Sequence, residues 1–195
     1  MKKIVITGGL GYIGTELCKI YSGYSWNDEI IVIDNRFISE RVTQLRNWNI
    51  NFIHGDILDK NLINKHCKDA DVVHHLAGIT NVPRVKSESN KTHDEKIKIV
   101  AEEGTKNILD AISDKSKIIM PSTHVVFEGL ENIKRDIDEE EPTRPILSYG
   151  QSKSLNETQL KNSKKNYIIL RLGSVYGYSL DTTRIDIMAN FFAKT

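Results

Sequence analysis

The 195-residue sequence has no apolar run long enough to cross a bilayer, only two cysteines, four prolines and almost no net charge. Each shortage excludes something. A membrane-spanning helix needs about 18 consecutive apolar residues, so none is expected. Cys18 and Cys67 are too few for a disulfide framework and lack metal-ligand spacing. They are expected as buried thiols in a reducing compartment, the cytoplasm, and no metal site is expected. A net charge of +1, from 27 basic and 26 acidic residues, offers no electrostatic footprint for nucleic acid or an anionic membrane. Lys2 and Lys3 before an apolar stretch look like the start of a secretory signal. Gly8, Gly9, Gly11 and Gly14 interrupt that stretch, and no small-residue cleavage site follows.

What is present points to a packed α/β domain. Hydrophobic residues at 39% and charged residues at 27%, mixed in sign, argue against a disordered chain. The length allows one domain or slightly more. Short β-branched runs at 3–7, 30–34, 51–54, 71–76, 117–120 and 167–172 have the length and composition of buried strands. Between them, 12–21, 59–67, 94–112 and 149–161 carry helical patterns. Strand and helix in alternation predict a doubly wound parallel sheet with helices on both faces. Residues 128–148 are acidic and hold Pro142 and Pro145, which predicts a long surface loop ahead of a helix. A last apolar helical pattern, with Met188, Phe191 and Phe192, begins within 181–195 and needs something to cover it.

The first strand runs into Thr7-Gly8-Gly9-Leu10-Gly11-Tyr12-Ile13-Gly14, which holds both the G-x-G-x-x-G and the T-G-x-x-G-x-x-G spacing. Glycines there permit a tight turn, close approach of backbone to a pyrophosphate, and close packing of helix on strand. The phosphates then meet the N–H groups and positive dipole of the following helix. Asp34 closes the second strand twenty residues after Gly14, placed to accept the hydroxyls of an adenosine ribose. A carboxylate there repels a 2′-phosphate and so favours NAD over NADP. The neighbouring Arg36 acts the other way, because an arginine just past the strand can receive that phosphate. Asp56, after the third strand, has two readings: acceptor for the adenine amino group, or cap of the helix that starts near Asp59.

The candidate chemistry lies at Tyr149-Gly150-Gln151-Ser152-Lys153, which puts a phenol and an amine at i and i+4 on one helix face. A free phenol has a pKa near ~10, too high for a base at neutral pH. A neighbouring ammonium and a positive nicotinamide ring both favour the phenolate. Tyr149 can then take a proton from a substrate hydroxyl while hydride leaves the same carbon. Tyr–Lys pairs at this spacing also arise by chance, so position carries the weight. The pair opens the helix after the fifth strand, and Pro121-Ser122-Thr123 ends that strand, where parallel sheets bind ligands. Ser122 or Thr123 is placed to orient the reacting oxygen. His74 and His75 are adjacent on a strand, face opposite sides, and cannot chelate one metal together.

In these residues the chain resembles the extended branch of the short-chain dehydrogenase/reductase superfamily, the NAD-dependent epimerase/dehydratase enzymes of nucleotide sugars. The matching pieces, in order, are 7–14, Asp34-Asn35, Gly55-Asp56-Ile57, His75-Leu76-Ala77-Gly78, Gly104-Thr105, Pro121-Ser122-Thr123, 149–153, Glu157 and Leu170-Arg171. The resemblance implies a Rossmann fold over residues 1–181, with 182–195 the start of a substrate-binding region whose C-terminal domain is largely absent. It implies that Gly8, Gly11 and Gly14, with Tyr12 and Ile13, contact the pyrophosphate of NAD. Asp34 and Asn35 would hold the adenosine ribose, Asp56 and Ile57 the adenine. Leu76, Ala77 and Gly78 would line the cofactor from the fourth strand. Thr123 is then the catalytic hydroxyl and Tyr149 the acid/base. Lys153 binds the nicotinamide ribose, beside Tyr149, and lowers the tyrosine pKa. Thr80, Thr123, His124 and Ser174 would touch a nucleotide-sugar substrate. A homodimer through helices 94–112 and 149–161 is a further implication.

Departures narrow the reading. Dehydratases of this family carry Asp-Glu after the catalytic Thr, whereas this chain has His124 and Val125, which disfavours dehydration and decarboxylation. An epimerase cycling hydride through NAD is the first expectation. A keto-sugar reductase consuming NADPH is the second, favoured by the likeness of 122–129 to that branch. A non-catalytic nucleotide-binding protein of the same fold is the third, and the retention of both Tyr149 and Lys153 counts against it.

Overall fold

The computed structural model describes residues 1–24, 27–80, 90–131 and 136–179. Six strands form one sheet: β1 (Lys3–Thr7), β2 (Glu29–Asp34), β3 (Asn51–His54), β4 (Val72–His75), β5 (Lys117–Thr123) and β6 (Asn166–Leu172). All neighbouring strands are parallel, in the order β3-β2-β1-β4-β5-β6. The expected doubly wound parallel sheet is therefore present. β5 runs three residues further than the apolar pattern indicated, carrying Pro121, Ser122 and Thr123 as strand residues paired with β6.

Five α-helices connect the strands: α1 (Tyr12–Tyr24), α2 (Ser39–Asn47), α3 (Lys60–Cys67), α4 (Lys91–Ala111) and α5 (Ser148–Asn162). The strands' period of two sends alternate side chains to opposite faces, and a separate core fills each face. Val5, Ile31, Ile33, Val73, Ile118 and Met120 pack with Ile63 of α3, Ile108 of α4 and Leu160 of α5. Ile4, Ile6, Ile30 and Val32 pack with Cys18 of α1 and with Val42 and Leu45 of α2. Both cysteines are free and buried.

Three helices differ from the sequence reading, the first being α1, which runs to Tyr24, three residues beyond the expected 12–21. The whole of α2 was unanticipated, because its nine residues bury only Arg41, Val42 and Leu45, too short an apolar pattern to show a period. Helix α4 starts three residues earlier than expected. The side chain of Asn90 caps it by accepting from the N–H groups of Thr92 and His93. The described parts of 128–148 form the expected irregular segment apart from short turns. The helical pattern in 181–195, and the boundary between 1–181 and 182–195, lie outside the described residues.

Strand order reverses at β1. β2 and β3 extend to one side of it, and β4, β5 and β6 to the other. The carboxyl ends of β1 and β4 therefore diverge into a crevice, the position at which open parallel sheets bind ligands.

Candidate active site

The crevice begins with the turn from β1 into α1. Gly8 has φ +72, a backbone conformation strained for side-chain-bearing residues. A Cβ on Gly8 would also stand 2.7 Å from the backbone nitrogen of Ala77, so any larger residue would drive β1 and β4 apart. A Cβ on Gly14 would stand 2.5 Å from the Gly8 carbonyl oxygen. Helix α1 thus rests directly on the turn, and Tyr12, Ile13 and Gly14 of its first turn line the crevice. Helix α2 secures the same turn from behind, since the buried guanidinium of Arg41 donates to the Leu10 carbonyl.

At the end of β2, Asp34 is buried, with its side chain 4% exposed. One carboxylate oxygen accepts the Leu10 N–H at 3.0 Å. The other accepts the backbone N–H of Arg36 at 3.0 Å and its Nε at 3.3 Å. Asn35 donates from its side-chain amide to Asp56 at 2.9 Å. The second Asp56 oxygen accepts the Leu58 N–H at 2.9 Å. The cap of α3 is Asp59, which accepts from Leu62 N–H at 3.0 Å, so the capping reading of Asp56 is excluded.

The end of β4 is held by a buried polar chain. Thr7 Oγ1 lies 3.0 Å from His75 Nδ1, and His75 Nε2 lies 3.0 Å from Thr105 Oγ1 on α4. Asn156 of α5 donates to the same Thr105 oxygen at 2.9 Å. Burial, reinforced by the positive charge of Lys153, pushes the His75 pKa down to about 3, so the ring is neutral. His74 points the other way, onto the hydroxyl of Tyr21 at 2.6 Å. The two rings do face opposite sides of the sheet. Among the described residues no cluster of three or more His, Cys, Asp or Glu is placed to hold a metal ion.

The Tyr–Lys helix enters over the end of β5. Gly150 allows this approach: a Cβ there would stand 3.0 Å from Pro145 Cβ and 3.1 Å from the Val125 carbonyl oxygen. Lys153 is buried, and its Nζ donates to the Pro121 carbonyl at 3.0 Å. The same Nζ lies 6.0 Å from the centre of the Tyr149 ring. Burial pulls the Lys153 pKa down to about 8. Thr123 is buried at the strand end, and its Oγ1 accepts the Val125 N–H at 3.3 Å, starting the 3-10 turn His124–Phe127.

One turn beyond Lys153, Glu157 is only 2% exposed. It accepts from Ser122 Oγ at 2.5 Å and from Arg171 Nη2 and Nε at 2.7 and 3.1 Å. Burial raises the Glu157 pKa, but hydrogen bonds from Arg171 and Ser122 outweigh it and hold the carboxylate below its usual range. Arg171 also lies 5.0 Å over the Phe127 ring and donates to the Glu139 carbonyl at 3.1 Å. This cluster ties α5, β5 and β6 together beneath the Tyr–Lys face.

These parts surround one cavity of about 1390 Å³, above the ~300–1,000 Å³ typical of small-molecule sites. Gly8, Gly11, Tyr12, Ile13 and Gly14 line its middle, and Asp34, Asn35, Asp56 and Ile57 one end. Leu76, Ala77, Gly78, Thr123, Tyr149 and Lys153 line the other end, with Thr80, His124 and Ser174 at its rim. Every site residue expected from the sequence therefore faces the same space. The sequence reading missed the Pro121 carbonyl that holds Lys153, and Lys91, His93, Lys96 and Ile99 from the start of α4. A backbone carbonyl leaves no signal in side-chain type. The α4 residues follow Asn90, a capping residue that would have placed the helix start.

Comparison with known proteins agrees with this geometry. The model of the NAD dependent epimerase/dehydratase family matches residues 4–194. The chain is 34% identical over 190 residues to the Methanocaldococcus jannaschii protein named "Putative UDP-glucose 4-epimerase", covering 91% of this chain and 57% of that protein. It is 29% identical over 198 residues to the dTDP-D-glucose 4,6-dehydratase of Dictyostelium discoideum, covering 91% of this chain and 44% of that one. Among solved structures, the Brucella ovis UDP-glucose 4-epimerase in complex with NAD superposes with a TM-score of 0.74 at 25% identity, covering 94% of this chain and 55% of the other. The chain thus spans about half the length of the relatives it matches.

Proposed function

The chain belongs to the NAD dependent epimerase/dehydratase family, and from that membership we propose that it holds NAD and carries the acid/base residues of a nucleotide-sugar epimerase. The observation that carries the proposal is the convergence of the glycine turn, Asp34 and the Tyr149–Lys153–Thr123 group on one cavity large enough for a dinucleotide and a sugar. The cradle fits the cofactor: Gly8 and Gly14, two of the three glycines expected at the pyrophosphate, have no room for a side chain. NAD supplies a hydride acceptor and, once reduced, a hydride donor.

The chain's own residues do the rest. Asp34 offers carboxylate acceptors to the adenosine ribose, and Asp56 stands at the adenine end. The first turn of α1 meets the pyrophosphate with N–H groups and its dipole. Tyr149 takes the proton from a sugar hydroxyl as hydride leaves that carbon, and returns it when hydride comes back to the other face. Lys153 favours the phenolate by its charge. Thr123 donates a hydrogen bond to the reacting sugar oxygen and orients it. His124 and Val125 provide no second carboxyl acid/base for eliminating water, which separates this reading from the dehydratase relative. Residues 1–181 form the nucleotide-binding domain in this scheme, with 182–195 leading into the substrate-binding part.

The test is direct. The protein is incubated with NAD and a set of UDP-sugars, and the products are resolved by NMR. Interconversion of sugar stereoisomers without net NADH formation supports the epimerase. Stoichiometric consumption of NADPH with a keto-sugar nucleotide would instead support the reductase. Tyr149→Phe should lower turnover by about 10²–10⁴-fold.

A further inference from the structure

The segment that follows β6 runs along the cavity and is fastened at the glycine turn. β6 lies at the edge of the sheet, three strand spacings or about 14 Å from β1. From its end, Leu172, Gly173, Ser174 and Val175 line the cavity. Two residues further on, the Tyr12 hydroxyl donates to the Gly177 carbonyl at 2.5 Å. Ser179 Oγ donates in turn to the Tyr12 carbonyl at 3.2 Å. Tyr12, the first residue of α1, thus holds the segment by its side chain and by its main chain. Gly177 has φ +136, which side-chain-bearing residues rarely adopt, so the fastened end is built around a glycine. Between its ends the segment is lightly packed. A Cβ on Gly173 or Gly177 would meet no described residue within 4 Å, and Tyr176 and Tyr178 are 69% and 78% exposed. Segments with few packed contacts open locally at low cost in free energy.

We propose that residues 173–179 form a strap over the dinucleotide and that Tyr12 is its latch: NAD enters and leaves when the Tyr12–Gly177 and Ser179–Tyr12 hydrogen bonds break. This rests on the assignment of the cavity to NAD. Such a latch has a kinetic signature. It holds down the fraction of molecules that are open, and association and dissociation both pass through the open form. Weakening the latch therefore raises both rates together. Loss of a direct contact with the nucleotide acts otherwise, raising dissociation with little change in association. The net worth of one hydrogen bond corresponds to a ~5-fold change in the open fraction.

The test is stopped-flow fluorescence of NADH binding to the full 195-residue chain, repeated on Tyr12→Phe and Ser179→Ala. Tyr12→Phe keeps the ring and deletes the hydroxyl. Ser179→Ala removes the second hydrogen bond from a residue outside the proposed nucleotide contacts. Each variant should raise both the association and the dissociation rate by ~5-fold, so that Kd moves less than either rate. Circular dichroism melts verify that both variants fold. Rates unchanged in the two variants, or faster dissociation with association unchanged, overturn the latch while leaving the NAD site intact. No NADH binding by the folded parent overturns the NAD assignment and this inference with it.

Discussion

Replacing Lys153 with methionine should stabilise the protein at neutral pH while removing its chemistry. Lys153 is buried, with its pKa drawn from 10.5 to about 8 by desolvation. At pH 7 it is still charged. Holding that charge inside costs about 1.36 kcal/mol for each tenfold loss of proton affinity, or ~3 kcal/mol in all. Methionine fills a similar volume without the charge. The substitution also removes the hydrogen bond to the Pro121 carbonyl, a loss of about 1 kcal/mol. The net gain is ~2 kcal/mol, a rise in Tm of roughly 4–8 °C for a chain of this size. The sign of the pH dependence follows from linkage. The folded pKa lies below the unfolded one, so wild-type stability rises as pH climbs from 8 towards 10.5. The methionine variant lacks this contribution, and the gap between the two proteins should close over that window. Urea unfolding of both proteins at pH 7 and pH 10 measures it. A methionine variant that is less stable at pH 7, or a gap unchanged at pH 10, would refute the reasoning.

Other perturbations give distinct outcomes. Glu157→Gln leaves the half-buried Arg171 guanidinium without its carboxylate and should cost about 1–3 kcal/mol in urea unfolding at pH 7. Because the folded pKa of Glu157 is depressed, its contribution is present above the unfolded value of 4.5 and disappears as pH falls through the folded one. The difference between wild type and Glu157→Gln should shrink in acid. His75→Leu removes one hydrogen-bond partner from each of Thr7 Oγ1 and Thr105 Oγ1, which keep the Ala77 N–H and the Asn156 amide, and should destabilise by about 1 kcal/mol for each bond lost. The wild type should lose stability as pH falls below 6.5 towards 3, where the unfolded ring is protonated and the folded one is not, and the leucine variant should lose less. Gly8→Ala forces a Cβ into a left-handed residue against Ala77 and should abolish NAD binding in calorimetric titration.

Much of the site is legible in the sequence, for a physical reason. A turn that brings backbone against phosphate demands glycine at Gly8 and Gly14, and few other features demand glycine at those offsets. The strand that follows demands an acid at its end. Short continuous apolar runs mark strands covered on both faces, which is why the pattern locates β1, β2 and β4 within two residues of their bounds. Where the pattern is polar, the reading weakens. Helix α5 buries Ser152, Lys153, Asn156 and Glu157 rather than an apolar stripe, so its inward face cannot be told from a solvated one by hydropathy. Helix α2 is too short for its period to register, although its Arg41 holds the nucleotide turn.

The sequence by itself determined the alternation of strand and helix, the phosphate-binding turn, the acid that follows it, and the Tyr–Lys pair, because each depends on local backbone geometry or on spacing along one element. Only the tertiary structure decided what the long-range partners are. Lys153 is held by a strand carbonyl, Glu157 is neutralised from β6 and β5, and His75 joins β1 to α4. Asp34 is covered by the arginine two residues on. Those contacts fix where each buried group sits along the cavity. They arise where strands distant in sequence converge, and no local pattern encodes them.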